Sequence, residues 1–556
     1  MLLKITGGTV YDPANGVNGE VRDLHVRDGR LVAAPGADER IDQEYDAGGC
    51  VVMAGAIDLH THIGGGKMNI ARAMLPEDHR GDLLARTDVT RASSGHAAPG
   101  TLAAGYRYAE MGYTACFEPA VLPVNARQAH MEMGDTPIVD KGGYVMLGSD
   151  DFLLRLMASG AEQALVNDYV AWTLNATRCI AIKVVNPGGI SAFKFNQRQM
   201  NLDAKHPFYG VTPRDIVRTL SRAVYELGLT HPLHVHASNL GVPGNEVTTL
   251  GTMAAAEGLP IHLTHIQFHS YGTEGDRKFS SAAARIAEAI NGQPNVSCDV
   301  GQILFGQTVT ASGDTMMQYQ NAAHAHPRKA VVMDIECDAG CGVVPFRYRD
   351  RNFVNALQWA IGLEIFLLVD DPWRVFLTTD HPNGAPFTTY PHLIRLLMDR
   401  TFRNERLALL NPAAQALTTL GTLDREYSLY EIAILTRAAP ARILGLADRG
   451  HLAPGAVADI TVYRRQPDPE RMFTAPAWVF KDGELVARDG RIVQVTWGRY
   501  HAVVPEYDPG IERRLREYFD RYHTIGFGNF RITEDEMTAF GHGATLVNHA
   551  CTRRSA

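Results

Sequence analysis

The strongest constraint on the fold is a series of eight short apolar segments separated by helical sequence. Each segment is nearly continuous in hydrophobicity and bounded by turn residues, which is typical of parallel strands buried on both faces. In chain order they are VVMAGAIDLH, YTACFEPA, GYVMLGS, CIAIKVVN, PLHVHAS, PIHLTHIQ, NVSCDVG and WRVFLTTD. Between them lie helical patterns, such as residues 212–228, with Pro213 in the first turn and Gly228 at the end. Eight strand–helix units predict an α/β fold, a TIM-type (β/α)8 barrel.

The two ends of the chain resemble each other and differ from the middle. Residues 1–52 and 446–505 alternate apolar and polar residues and use Asp-Gly turns, as antiparallel strands do. We therefore expect a small β-sandwich module assembled from both ends, with the barrel occupying residues 53–445. Residues 303–372 are longer than a simple connection, so we expect an insertion that shapes a pocket or docks a partner. Residues 506–556 form a predicted helical C-terminal extension.

Composition excludes several classes of protein. Of the 556 residues, 45% are hydrophobic and 21% are charged, which is ordinary for a folded enzyme. The net charge of -8 and the dispersed basic residues argue against a nucleic-acid surface. The longest apolar stretch, residues 356–369, contains Glu364 and is shorter than the ~20 residues of a membrane span. With no export signal and seven scattered cysteines, we expect a cytoplasmic protein with reduced thiols and no membrane contact.

Five of the eight predicted strand ends carry a side chain with metal-binding chemistry. The first ends in an H-x-H pair, the fourth contains a lysine, the fifth and sixth end in histidines, and the eighth ends in an aspartate. Unconstrained residues of these types would scatter onto helices and loops as well. Imidazole and carboxylate groups suit zinc, and three protein ligands with one open position make an ion catalytic. The pattern therefore predicts a zinc centre at the carboxyl rim of the barrel.

Lys183 within the fourth strand needs its own explanation, because a cationic amine does not bind a metal ion. Either the amine is deprotonated, or it reacts with carbon dioxide and becomes a carbamate whose two oxygens bridge two metal ions. The second route needs a neutral amine, which burial and a nearby dication favour.

These features resemble the amidohydrolase superfamily, which shares the split β module. The resemblance implies that Lys183 is N6-carboxylysine bridging two Zn²⁺ ions. Where HVHAS and HLTHIQ each offer two histidines, it favours His236 over His234 and His265 over His262. The implied metal ligands are His60, His62, Lys183, His236, His265 and Asp380.

Four longer sequence motifs resemble those of one branch of that superfamily. DLHTHIGGGKMN, IKVVNPGG, HVHASNLGVPGN and HLTHIQFHSYG resemble the A component of formylmethanofuran dehydrogenases and of formyltransferase/hydrolase complexes. The resemblance implies hydrolysis, or reverse condensation, of the formamide of an N-formylated methanofuran-type carrier in one-carbon metabolism, giving formate and free amine. It also implies that the partners are the other subunits of such a complex.

The predicted site chemistry is metal-assisted hydrolysis. Zinc would polarise the formyl oxygen and activate a water, while Asp380 would take the proton and later deliver it to the amine. Five further residues follow the strand ends on the rim and are candidate substrate contacts: Lys67, Asn69, Asn186, Gln267 and His269. Two alternatives stay open, a dihydropyrimidinase- or hydantoinase-like cyclic amidase or deaminase, and a subunit that keeps the barrel only as a scaffold.

Overall fold

The eight predicted strands form one curled parallel sheet in the computed structural model, which describes residues 1–36, 38–189, 201–313, 333–334 and 342–554. Each strand pairs in parallel with the next along the chain. Their bounds are Ala56–Asp58, Tyr113–Val121, Asp140–Met146, Ala181–Val185, Leu233–His236, Ile261–Leu263, Val296–Asp299 and Val375–Phe376. The eight sequence segments are apolar because both faces of this sheet are covered.

The first and eighth strands meet and close the barrel. Thr61 forms a parallel bridge with His381. The backbone N–H of His62 donates a 2.8 Å hydrogen bond to the His381 carbonyl, and the Thr378 hydroxyl donates one of 2.8 Å to the His60 carbonyl. The predicted TIM-type fold is therefore confirmed, and the closure brings the carboxyl ends of these two strands together.

Helices connect the strands and cover the outside of the barrel. Pro213–Glu226 shows why these sequences are helical: Thr212 and Asp215 form a capping box and Pro213 starts the first turn. No helix within the described residues is both long and apolar enough to cross a bilayer. The barrel helices are Gly66–Met74, Pro76–Gly81, Thr101–Glu110, Ala126–Gly134, Asp151–Ala158, Gln163–Thr177, Pro213–Glu226, Glu246–Ala255, Ala283–Gly292, Phe353–Leu368, Tyr390–Met398, Arg400–Ala408, Pro412–Gln415, Leu429–Ala433 and Ala439–Leu444.

Strands from both ends of the chain form a separate nine-stranded sheet. The two halves join where Cys50–Ala54 pairs antiparallel with Ile460–Arg464. The sheet has its own apolar core, which includes Val52 and Ile460. Its strands are Leu2–Asp12, Val17–Arg27, Arg30–Val32, Gln43–Asp46, Cys50–Ala54, Ile460–Arg464, Trp478–Lys481, Glu484–Arg488 and Arg491–Ile492.

A buried ion-pair cluster ties this sheet to the barrel. Lys481, at the end of a sheet strand, is fully buried, and its ammonium lies 3.0 Å from a carboxylate oxygen of Asp459. The same ammonium lies 3.0 Å from Asp140, which begins the third barrel strand. Arg449 is a second buried cation on Asp140. Because the charges are out of water, each depends on its partners.

The predicted insertion contributes an antiparallel hairpin, Gly306–Gly313 with Gly342–Tyr348. The Tyr348 hydroxyl donates a 2.9 Å hydrogen bond to the carbonyl of Asn383, in the loop that follows the eighth barrel strand. The hairpin therefore lies at the carboxyl rim. Residues 314–332 and 335–341 of the insertion lie outside the described part of the chain.

The end of the chain packs against the barrel. Tyr500–Val503 pairs in parallel with the third barrel strand and Leu546–His549 pairs in parallel with Tyr500–Val503. The helices Ile511–Tyr522, Phe527–Phe530 and Glu534–Phe540 lie between these strands in sequence. Aromatic rings of the extension stack on Trp172 of a barrel helix, with Phe530 at a centroid distance of 5.5 Å. The division of the chain into domains at 52, 445 and 505 stays a prediction.

Candidate metal centre

The six predicted metal ligands converge at the carboxyl ends of the barrel strands. None of their side chains is more than 2% exposed. In chain order they are His60 and His62 after the first strand, Lys183 in the fourth, His236 in the fifth, and His265 and Asp380 just beyond the sixth and eighth. The structure brings these side chains together, and their role as ligands stays a prediction.

One group of ligand atoms consists of His60, His62 and Asp380, whose nitrogen and oxygen atoms lie within 4.8 Å of one another. One oxygen of Asp380 lies 2.8 Å from Nε2 of His60 and 3.4 Å from Nε2 of His62. The amide of Asn383 donates a 2.9 Å hydrogen bond to the same oxygen. Burial alone would raise the pKa of Asp380, but the neighbouring His60 and His265 hold it well below its usual value. The carboxylate is therefore ionised.

A second group consists of His236, His265 and His269, whose ligand atoms also lie within 4.8 Å of one another. The ring centroids of His236 and His265 are 4.5 Å apart. All six ring nitrogens are buried, and none has a hydrogen-bond partner among the described residues. His269, predicted as a substrate contact, thus lies beside two predicted ligands.

These unbonded nitrogens fit a metal ion. A buried polar atom without a partner costs about 1–3 kcal/mol, so a cluster of them is unstable unless something satisfies it. Neutral imidazole nitrogen with carboxylate oxygen is a donor set that zinc prefers. Nε2 of His62 is likewise buried and has no hydrogen-bond partner in the described part of the chain. Both groups of residues are therefore candidate metal-binding groups.

Lys183 lies on the barrel wall, in the fourth strand, which pairs with the strand that carries His236. Its neighbour in register on the fifth strand is His234, and two residues further along Val185 is in register with His236. Burial lowers the pKa of the Lys183 amine to about 8, although Asp380 and Asp299 oppose this shift. More of this amine is neutral at neutral pH than on a surface lysine, as the reaction with carbon dioxide requires.

Glu118 of the second strand holds the H-x-H segment, and sequence reasoning missed it. One carboxylate oxygen lies 2.8 Å from Nδ1 of His62. The other accepts backbone hydrogen bonds from Ile63 at 2.7 Å and Gly64 at 3.2 Å. Burial alone would raise the pKa of Glu118, but His62 and these N–H groups lower it below its usual value. With its Nδ1 proton donated to Glu118, His62 presents Nε2 to the site.

Asp299, at the end of the seventh strand, was missed as well. It accepts a 2.6 Å hydrogen bond from the backbone N–H of His265 and lies 3.1 Å from Nε2 of His262. Nδ1 of His60 lies 3.3 Å from Asp299, and Nε2 of His234 lies 3.8 Å from it. The two histidines that the resemblance disfavoured, His234 and His262, stack on each other in the barrel interior at 4.7 Å. The sequence feature that could have identified Asp299 is its position, since it is a charged residue near the end of the apolar segment NVSCDVG.

Three other predicted substrate contacts are buried near the site. Lys67 lies in the first turn of the rim helix Gly66–Met74. Asn186 has a buried amide nitrogen with no hydrogen bond within the described chain, and the same holds for both amide atoms of Gln267. A polar substrate would satisfy these groups. Their role in substrate binding stays a prediction.

Asn69 is placed differently. Its side chain is exposed and bonds to Glu132 and to Arg72, the latter at 3.0 Å. The physical reason is the helix that begins at Gly66, on which residues two apart project to opposite sides, so Lys67 and Asn69 do not face the same way. The structure does not bring Asn69 to the metal-binding groups.

Comparisons with known proteins agree with this geometry. A profile of the amidohydrolase family matches residues 43–494. The A component of the formyltransferase/hydrolase complex Fhc of Methylorubrum extorquens is 42% identical, with 96% of this chain and 97% of that protein covered. Protein FwdA of Methanocaldococcus jannaschii is 39% identical, with 96% of each chain covered.

A solved structure is similar along the whole chain. The crystal structure of the formyltransferase/hydrolase complex from Methylorubrum extorquens, determined with methylofuran, matches with a TM-score of 0.91 and 41% identity, covering 99% of this chain and 100% of that one. The chain therefore belongs to the amidohydrolase family, in the branch that contains the A component of the formyltransferase/hydrolase complexes.

Proposed function

We propose that the protein catalyses metal-dependent hydrolysis of the formamide of an N-formylated methanofuran-type carrier, giving formate and free amine, and the reverse condensation. The observation that carries this proposal is the site itself: buried imidazoles that lack hydrogen bonds within the described residues lie with an ionised aspartate at the carboxyl rim of the barrel. The chain that carries this site matches, over nearly its whole length, one component of a complex whose structure contains methylofuran. The same likeness supports assembly with the other subunits of such a complex.

The residues that would hold the metal ions are those of the two groups. His60, His62 and Asp380 suit one ion, and His236 with His265 suits the other, with carboxylated Lys183 between them. We propose that the ions are Zn²⁺, because imidazole nitrogens and carboxylate oxygens are common ligands of catalytic zinc. Bound zinc supplies Lewis acidity towards the formyl carbonyl and lowers the pKa of water.

Asp380 is placed to move the proton. Its carboxylate is ionised and lies beside both imidazoles of the H-x-H pair. It is therefore able to accept a proton from a water that attacks next to these predicted ligands. Delivering that proton to the nitrogen of the departing amine completes the cleavage of the C–N bond. Asn383, which donates to the Asp380 oxygen at 2.9 Å, holds the carboxylate in position.

Substrate orientation falls to buried polar groups beside the ligands. The unbonded amides of Asn186 and Gln267 suit hydrogen bonds to a formamide, and Lys67 lies on the adjoining rim helix. The cyclic amidase is less well supported, because the likeness at about 40% identity over nearly the whole chain is to the A component of a formyltransferase/hydrolase complex. A pure scaffold subunit would have no physical need for this costly arrangement of buried groups.

The test combines zinc content by elemental analysis with formate release from a formylated furfurylamine. Wild type should hold two ions per chain and release formate, and activity should disappear with a chelator and return with zinc. Lys183→Ala should hold fewer ions and release no formate, whereas the exposed control Lys205→Ala should behave as wild type. Equal formate release by Lys183→Ala and wild type would refute the proposed bridging role of Lys183. No formate release from the zinc-loaded wild type would refute the proposed substrate.

A further inference from the structure

His269 belongs to a closed arrangement of three imidazoles. Its ring centroid lies 5.2 Å from that of His236 and 5.3 Å from that of His265, and those two are 4.5 Å apart. The three rings thus form a triangle in which each ring has both others as neighbours. These three residues together form what we call the three-histidine cage.

The chain holds His269 in this place by local structure. It ends the short 3-10 helix Ile266–His269 directly after His265, and this turn brings the two rings to a stacked arrangement with a centroid distance of 5.3 Å. The Thr249 hydroxyl donates a 2.7 Å hydrogen bond to the His269 carbonyl, and the Asn245 amide donates one of 2.8 Å to the Phe268 carbonyl. These hydrogen bonds hold the backbone that carries the His269 ring beside the other two imidazoles.

The cage lacks any internal means of satisfying its own nitrogens. His269 is 1% exposed, and neither of its ring nitrogens has a hydrogen-bond partner within the described residues, which is true of the other two rings as well. A single substrate hydroxyl or carbonyl would satisfy at most one or two of these atoms. A divalent cation would take one nitrogen from each ring at once, and the ligand atoms already lie within 4.8 Å of one another.

We propose that His269 is a third imidazole ligand of the metal position formed by His236 and His265, and not a substrate contact. This inference rests on the proposed function only in requiring that the site binds metal ions. It gives that position three protein nitrogens in addition to any oxygen from carboxylated Lys183. The substrate then approaches from the side of Asp380 and not across the ring of His269.

The direct test is a crystal structure of the zinc-loaded protein with anomalous scattering at the zinc edge. The expected result is a zinc peak about 2.0–2.1 Å from one ring nitrogen of each cage histidine, including His269. A peak bound by His236 and His265, with the His269 nitrogens beyond hydrogen-bond distance, would overturn the proposal and leave the proposed function intact. Absence of zinc from the whole site would overturn both.

A solution measurement uses chelator-stripped protein and zinc titration in competition with a chromophoric chelator. His269→Asn should weaken the binding of one of the two ions by more than about 100-fold. Losing a residue that only hydrogen-bonds to a metal ligand weakens metal binding by at most about 100-fold, so a larger effect indicates a direct ligand. The matched control is His130→Asn, which removes an equally buried histidine on a barrel helix, whose ring bonds to the Thr177 carbonyl at 2.8 Å, and it should leave zinc affinity unchanged. Unchanged affinity in His269→Asn together with a raised KM for the formyl substrate would assign His269 to substrate binding instead.

Discussion

Replacing Glu118 by glutamine tests how the barrel orients its metal ligands. The substitution keeps the shape of the side chain and removes one acceptor oxygen together with the charge. In the native protein one oxygen accepts from Nδ1 of His62 at 2.8 Å and from the N–H of Ala120 at 3.1 Å. The other accepts from the N–H groups of Ile63 and Gly64 at 2.7 and 3.2 Å.

Both orientations of the new amide are unfavourable. Whichever oxygen is replaced by NH2, two donors lose their acceptor. Water cannot replace that acceptor easily, because Glu118 is 1% exposed. At about 1–3 kcal/mol for each unsatisfied buried group, Glu118→Gln should lower the free energy of unfolding by about 2–6 kcal/mol. Loosening the His62 ring should also weaken zinc binding by about 10–100-fold.

Urea unfolding of the metal-free protein and competitive zinc titration measure the two effects separately. The control is Glu132→Gln: Glu132 accepts from the N–H of Gly65 at 2.9 Å beside the same loop, but it does not contact His62. The control should leave zinc affinity unchanged and cost less stability, since its side chain is 17% exposed. Wild-type stability and zinc affinity in Glu118→Gln would refute the reasoning.

Three other perturbations have definite expected results. Lys481→Met leaves Asp140 and Asp459 buried beside one cation fewer and should cost about 3–5 kcal/mol in urea unfolding; an unchanged midpoint would contradict the ion-pair account. Burial raises the pKa of Glu110 to about 7, so the wild type loses stability as the pH rises from the unfolded value of 4.5 through 7. Glu110→Gln should therefore match wild type in unfolding experiments near pH 4 and exceed it by up to about 3 kcal/mol above pH 8, and an equal difference at both pH values would count against this. Asp380→Asn should slow formate release at least about 100-fold, and a smaller effect in a folded, zinc-loaded variant would argue against a proton-transfer role.

The fold was predictable because parallel strands leave a strong pattern in sequence. Segments such as CIAIKVVN are apolar on both faces, and the alternation with helices then leaves few topologies. The strand-end residues could be predicted for the same reason, since the carboxyl ends of all strands meet at one rim. The strand Tyr500–Val503 could not be assigned in this way, because it alternates like the terminal sheet and yet pairs with the barrel.

The supporting residues were harder to find than the ligands. Glu118 is one acidic residue inside an apolar strand, and only the pairing of the first strand with the second shows that His62 lies opposite. His269 was placed on the rim by its distance from His265 in sequence, but the helical turn that puts the two rings side by side has no clear sequence signal. Asn69 failed to reach the site because helix phase, and not sequence proximity, decides direction.

The pairing of Cys50–Ala54 with Ile460–Arg464 has a consequence for synthesis of the chain on the ribosome. About 400 residues separate the two partners. At about 5–20 residues per second, the first strand waits on the order of 20 to 80 seconds for its partner. During that interval its backbone N–H and C=O groups form an open strand edge that another nascent chain is able to pair with. Slower translation should therefore increase aggregation of this protein, and a chaperone that covers the amino-terminal strands should reduce it.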